Sequence, residues 1–480
     1  MFRRLALIVL ILLSGCGREE KVNLPAPAVP PPTTTSAALR TSYAEVVNRV
    51  SASVVTIRTE SRARAPQQFP FMDDPFFRRF FGEPSTPAPE RSVRGLGSGV
   101  IVTADGYILT NHHVIDGAQQ IEVDLQGPRT VTAKLVGSDP PSDLAVLKID
   151  EGGLSPLALA DSDKAQVGDI VLAIGNPLGI GQTVTLGIIS AKGRRTGLSN
   201  GSFEDFLQTD APINRGNSGG ALVDSNGDLL GINSQILSPS GGSIGIGFAI
   251  PSNMARDVLD QLVKNGKVTR GQLGVVVQPV TEDIAGSLKL NSANGVIVSQ
   301  VQPGSAAERA GLKRGDVILA LNGNLVSDPN SFRNEIAGTP PGRTVTLRIW
   351  RDGSEQELRP TLGEFVREER TSRLTEKSSP ERGGSDSGRL GLAVQPLTPA
   401  LASQLGIGPD TQGLVVVEVD PFGPAADAGI QRGDVIEQVN QQPVRSVADL
   451  RAAVERSGKD PLLLLVNHRG TTIFVTVRSR

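Results

Sequence analysis

Two stretches in the C-terminal half of this 480-residue chain repeat one another. Gly295 opens GVIVSQVQPGSAAERAGLKRGDVILALNG, and 118 residues later Gly413 opens GLVVVEVDPFGPAADAGIQRGDVIEQVNQ. Pro303 and Pro421, Gly311 and Gly429, Gly315 and Gly433, Asp316 and Asp434, and Asn322 and Asn440 fall in register. Two copies of this size make two like domains, because a solenoid needs three or more smaller units. The duplication places like units at residues 268–363 and 389–480. Residues 364–388, rich in Arg, Glu, Ser and Gly, read as the linker between them. Everything upstream must fold around a core of its own.

That upstream region, residues 41–266, is a series of short apolar or alternating runs broken by Gly, Pro, Asp and Asn. SVVTIRT, GSGVIVT, YILTNHHVI, LAVLKI, DIVLAIG and GDLLGIN are examples, and their regular spacing predicts a β-sandwich or barrel. MARDVLDQLVKNGKV, from Met254 to Val268, has helical periodicity and a stop at Asn265-Gly266. Residues 62–94 form an insertion holding six of the fourteen phenylalanines. So apolar a loop is expected at a subunit contact or as a movable lid.

The formal net charge of −2 gives no sign of nucleic acid or of a polybasic membrane contact. Cys16 is the one cysteine, which excludes a disulfide framework and a multi-thiolate zinc site, and no HExxH or similar metal set is present. Arg3 and Arg4 precede a continuously apolar Leu5 to Leu13, too short to span a bilayer. Residues 1–15 therefore read as a signal peptide. LSGC resembles the bacterial lipobox, which implies lipidation of Cys16. Residues 16–40, Pro- and Thr-rich, would be a tether. Gly17, where an aspartate would favour inner-membrane retention, points to the outer membrane.

INRGNSGG, from Ile213 to Gly220, crowds turn-forming residues around one hydroxyl. A serine becomes a nucleophile when a neighbouring base takes its proton and backbone donors wait where the oxyanion forms. Gly216 permits the bend, and the N–H groups of Gly216 and Ser218, with Asn217 between them, could converge on one point. The chain has three histidines, and the base must be His112 or His113, adjacent in ILTNHHVIDG. Asp143, ahead of the apolar run LAVLKI, is the best orienting carboxylate. Asp139 is its rival, although the surrounding DPP reads as a solvated turn. His468 reads as a surface residue. The order His, Asp, Ser is that of a chymotrypsin-like double β-barrel.

TNHHV, SDLAVLKI and QTDAPINRGNSGGALV together are similar to the three catalytic motifs of the HtrA serine proteases (peptidase Do, DegP/DegQ-like). IGIGFAIPSNM and DPFFRRFFG extend the resemblance, which covers residues 41–480. The family pattern TN-x-H-V implies that His113 is the base, Asp143 its orienter, Ser218 the nucleophile, and Gly216, Asn217 and Ser218 the oxyanion hole. Ile213, Asn214 and Arg215, with Ile232, Asn233, Ser234 and Ile236, are expected to line the specificity pocket. With no acidic residue there, small or medium aliphatic side chains are expected before the cut bond. Each repeat resembles a PDZ domain, an α+β fold. Its peptide-binding loop would be Arg270, Gly271, Gln272, Leu273, Gly274 and Val275 in the first, and Arg389, Leu390, Gly391 and Leu392 in the second. Captured C-termini would add a strand there and raise the local substrate concentration. The resemblance also implies a homotrimer or its multiples, mobile loops at 194–203 and 233–243, unfolded envelope proteins as substrates in the periplasm, and no cofactor. A chaperone or peptide-binding scaffold with an idle hydrolytic site is the alternative.

Overall fold

The computed structural model describes residues 42–62, 92–176, 181–197, 203–214, 216–238, 242–366, 389–408, 411–458, 460–468 and 470–478. Cys16, the Pro/Thr-rich tether, most of the Phe-rich insertion, Arg215 and all of the linker after residue 366 lie outside the described residues, while Glu364 at the linker's start pairs with Gly271 as strand. The chain divides into Met1–Tyr43 and a compact body, Ala44–Arg480, to which the elements below belong.

Seven antiparallel strands make the first sheet: β1 (Val54–Arg62), β2 (Ser92–Ile101), β3 (Tyr107–Thr110), β4 (Gln120–Leu125), β5 (Arg129–Thr132), β6 (Lys134–Asp139) and β7 (Leu144–Lys148), in the order β5-β4-β1-β2-β3-β7-β6. Alternation drives it: in β4, Ile121, Val123 and Leu125 are buried while Gln120 is exposed. They meet Ile57, Ile101, Ile108 and Leu147 in one core. β1 and β2 run further than the apolar runs alone predict, to Arg62 and back to Ser92. The polar ends TESR and SVRG are strand because each satisfies the other's backbone groups along a nine-residue ladder.

Six more strands close into a barrel: β8 (Ile170–Gly175), β9 (Thr183–Arg194), β10 (Phe206–Thr209), β11 (Ala221–Asp224), β12 (Leu229–Ile236) and β13 (Gly247–Pro251), in the order β10-β13-β12-β11-β8-β9. Val171, Ile189, Leu207, Leu222 and Leu230 fill it. The predicted helix follows as Ser252–Asn265, burying Ala255, Val258 and Leu262 on one face. Gly266, at φ 68°, ends it by donating to the Leu262 carbonyl.

Each repeat is an antiparallel sheet with a groove-side helix, Pro329–Gly338 in the first and Val447–Ser457 in the second. Asp328 caps the one and a Ser446/Asp449 capping box starts the other. The two repeats are not separate beads. The strand Leu462–His468 is apolar on both faces. Leu462, Leu464 and Val466 fill its own core, while Leu463 and Leu465 join Phe474 against Val280, Ile284, Ile297 and Val317 of the first repeat.

Candidate active site

The cleft forms where β3, the β6–β7 corner and the β10–β12 end of the barrel come together. After β3 the chain passes through Asn111 into a short helix, His112–Ile115. Asn111 Nδ2 and the His112 N–H both donate to the Asp143 carbonyl, at 3.0 and 3.1 Å. Asp143 itself sits in the left-handed region (φ 57°, ψ 37°), closing a 3₁₀ turn at Pro140–Ser142. Aspartate tolerates this conformation better than most side chains. The turn aims its carboxylate back at the helix. The His113 N–H donates to Asp143 Oδ1 at 3.1 Å, and His113 Nδ1 lies 2.9 and 2.8 Å from the two carboxylate oxygens. An ionised carboxylate only accepts, so Nδ1 carries the ring proton and Nε2 keeps its lone pair. Ser234 Oγ adds a third donor to that carboxylate, 3.0 Å from Oδ2.

Ser218 enters from the loop before β11. Gly216 and Gly219 take φ of 98° and 82°. The loop is tied down on both sides: Ser98 Oγ donates to the Gly216 carbonyl, the Ser98 N–H to the Ser218 carbonyl, and the Gly219 N–H to the Asn233 carbonyl. The Asn217 N–H is spent on the Asn214 carbonyl, so Asn217 offers no backbone donor to the cleft. Among the described residues, the Gly216 and Ser218 N–H groups donate to no protein acceptor. Ser218 Oγ donates to the Ser234 carbonyl at 2.9 Å. Ser218, His113 and Asp143 line one cleft of about 550 Å³.

Several sequence-derived assignments need correction. Ile232 and Asn233 are fully buried and outside the cleft wall. Ile232 is paired with Ala221 of β11 and Ile250 of β13, and Asn233 Nδ2 donates to the Ala221 carbonyl. Ile213, Asn214, Ser234 and Ile236 do line the cleft, joined by Ile250, which the sequence did not single out. Asp139 is not a solvated turn residue. It is 5% exposed and bound by Arg270 through two guanidinium nitrogens at 2.8 and 2.5 Å. Ser142 closes on the same carboxylate through its N–H and hydroxyl. Arg270 is thereby removed from the first repeat's peptide loop: its charge is used against the barrel domain. His112 lines the cleft mouth, its Nε2 3.8 Å from Asp116. His468 is half-exposed and bonds the buried Asp434 at 2.6 Å.

Gly271, Gln272, Leu273, Gly274 and Val275 line a groove of about 350 Å³ in the first repeat. Arg389, Leu390 and Leu392 line one of about 250 Å³ in the second, with Gly391 bending between them at φ 69°. Sequence reasoning missed Phe203, which is 6% exposed and lines both the catalytic cleft and the first groove. Its ring stacks edge-on against Phe365 at 5.4 Å and lies under Arg270 and Arg333. The available signal was one aromatic in an otherwise Gly- and Ser-rich stretch. Beside it, burial and then the like charges of Asp163 and Asp328 push the Asp205 carboxyl up. Among the described residues no His/Cys/Asp/Glu group could hold a metal, and no helix is long and apolar enough to cross a membrane.

Comparison with known proteins agrees with this architecture. The trypsin-like peptidase domain family matches residues 97–232, and PDZ domain families match 271–362 and 415–467. The chain is 44% identical to a "Probable periplasmic serine endoprotease DegP-like" of Chlamydia trachomatis, over 86% of this chain and 80% of that one. It is 42% identical to the "Periplasmic pH-dependent serine endoprotease DegQ" of Escherichia coli, over 91% of each. Among solved structures it resembles the "HtrA-type protease AlgW with tripeptide" (TM-score 0.57, 44% identity), covering 68% of this chain and 98% of that one. The same protease with a decapeptide gives a TM-score of 0.55 and 47% identity, covering 68% and 100%.

Proposed function

The chain belongs to the HtrA (DegP/DegQ-like) family of periplasmic serine endoproteases, and from that premise we propose that Ser218, His113 and Asp143 carry out acyl-enzyme hydrolysis of unfolded polypeptide. The supporting observation is the His113–Asp143 pair, which leaves Nε2 basic in the same cleft as Ser218. In this reaction the Ser218 hydroxyl leaves the Ser234 carbonyl, its acceptor in the structure, for that nitrogen. His113 then accepts the hydroxyl proton as Ser218 Oγ attacks the scissile carbonyl. The oxyanion falls to the unspent N–H groups of Gly216 and Ser218. His113 returns the proton to the leaving amine, and a water repeats the sequence to release the acid. Asp143 stabilises the imidazolium without taking its proton.

Ile213, Ile236 and Ile250 support cleavage after small or medium aliphatic residues. The grooves of the repeats capture substrate C-termini, and the loops around Ser218 regulate its activity. Trimers assemble the enzyme, and a lipid on Cys16 anchors it, on the outer membrane; Cys16→Ala should release it to the soluble fraction. The test of the central reading is incubation of an unfolded, casein-like protein with the wild type and Ser218→Ala. Cleavage should fall by about 10⁶ in kcat, as removal of a serine nucleophile does in subtilisin. A fluorophosphonate should label Ser218, and mapped cuts should follow Val and Ala. Equal cutting by the variant would remove the protease reading, and cuts mainly after Lys or Arg would remove the pocket assignment. If Ser218→Ala still suppresses aggregation, holding of unfolded chains coexists with cleavage.

A further inference from the structure

We propose that the groove of the first repeat selects peptide C-termini carrying an Asp or Glu side chain within their last four residues, held by Arg333 and Arg195. The proposal rests on the reading that this groove captures C-termini, and adds to it the chemistry of the captured tail. Its floor is apolar, from Leu273, Phe332 and Ile336. Among the described residues, the Leu273 and Gly274 N–H groups donate to no protein acceptor, which suits a terminal carboxylate. Beyond that end the wall changes character. Arg333 comes from the groove-side helix, and Arg195 reaches in from the barrel domain.

The charge at this wall is unbalanced. Among the described residues, none that lines the groove is acidic. Arg270, the third guanidinium nearby, is matched by Asp139, but among the described residues neither Arg333 nor Arg195 has a carboxylate partner. The Arg333 guanidinium lies 4.5 Å over the Phe203 ring, where burial and the like charges of Arg195 and Arg270 depress its pKa, Glu204 opposing them. Glu204 itself accepts from the Thr196 and Gly197 N–H groups. A half-buried cation without a partner is costly, and an incoming carboxylate offsets that cost. The second groove differs: Glu455 lines it beside Arg389 and Arg451.

The test is anisotropy of labelled decapeptides ending in Val, each with Glu or Gln at one of the preceding three positions. They are bound to the full chain carrying Ser218→Ala, so that no cleavage occurs. At about 50 mM salt a Glu peptide should bind about 5–10-fold tighter than its Gln counterpart, and the advantage should shrink at higher salt. Arg333→Gln with Arg195→Gln should abolish the advantage, so that Glu and Gln peptides bind that variant alike. Arg333→Glu should favour a Lys peptide instead. Equal binding of Glu and Gln peptides overturns the charge selection and leaves C-terminal capture standing. An advantage that survives in the double variant, or that disappears with Arg389→Gln and Arg451→Gln instead, also overturns it. If no peptide binds, or an amidated terminus binds as well as a free one, the capture reading fails and this inference falls with it.

Discussion

Gly219 admits no side chain. At φ 82° a Cβ would lie 2.1 Å from the Ser98 carbonyl oxygen and 2.4 Å from Thr110 Oγ1. The loop carrying Ser218 cannot retreat, because Ser98 also holds the Gly216 and Ser218 carbonyls. Gly219→Ala should therefore cost about 2–3 kcal/mol in urea unfolding and abolish fluorophosphonate labelling. Gly117→Ala is the control: its φ is also positive, at 68°, but nothing lies within 4 Å, so about 1 kcal/mol and full labelling are expected. A second residue-scale prediction concerns Asp205, whose carboxyl burial pushes up. A raised folded-state pKa means the native state holds the proton more tightly than the unfolded chain. The associated stability is present below the ordinary carboxylate value and is lost as pH rises through the raised one. Asp205→Asn should thus raise the melting temperature at pH 7 relative to wild type and lose that advantage toward pH 4. A difference independent of pH would show that its burial is not what matters. That His113, Asp143 and Ser218 would share one cleft was legible because three short motifs resembling those of one family single these residues out. The Asp139 environment was not, because the cation that closes on it is 131 residues away.

At the scale of elements, the Pro140–Ser142 turn is where barrel and first repeat meet. Asp139 stands at its start and Asp143 at its end, so whatever holds Asp139 also sets where the Asp143 carboxylate points. Both members of the Arg270–Asp139 pair are nearly buried, their side chains 10% and 6% exposed. Removing one partner of such a pair leaves a stranded charge and costs about 3–5 kcal/mol, whereas replacing both with apolar groups is often close to neutral. Arg270→Met should lower stability by that amount and reduce kcat/KM by displacing Asp143. Adding Asp139→Leu should restore most of the stability. A double variant no more stable than the single would mean that the pair is not a closed unit. The alternating strands and the Ser252–Asn265 helix were readable because their periods sit in the sequence itself. The ends of β1 and β2 were not, since TESR and SVRG become strand only when each finds the other.

At the scale of the whole molecule, the run LLLLV in the second repeat carries more apolar surface than one core can use. A strand inside a single half-buried sheet alternates. This one does not, and Leu463 and Leu465 spend the excess on the first repeat. Polar contacts fix the orientation. The Gln278 amide donates to the Phe474 carbonyl at 2.8 Å and accepts from its N–H at 2.7 Å, as a strand neighbour would. Thr472 Oγ1 donates to the buried Ser299 carbonyl, and Arg314 pairs with Glu437 at 2.7 Å. Composition marked a linker between the two repeats, but a linker's composition says nothing of the faces it joins. If the apposition holds the repeats together, they should melt as one cooperative unit. Leu465→Asp tests this, because it places an unpaired carboxylate in the shared cluster while leaving the second repeat's own core residues, Leu464 and Val466, in place. Calorimetry should then resolve two transitions for the repeats, the second repeat melting first by about 5 °C or more. One transition at the wild-type temperature would mean that the interface contributes contact without coupling.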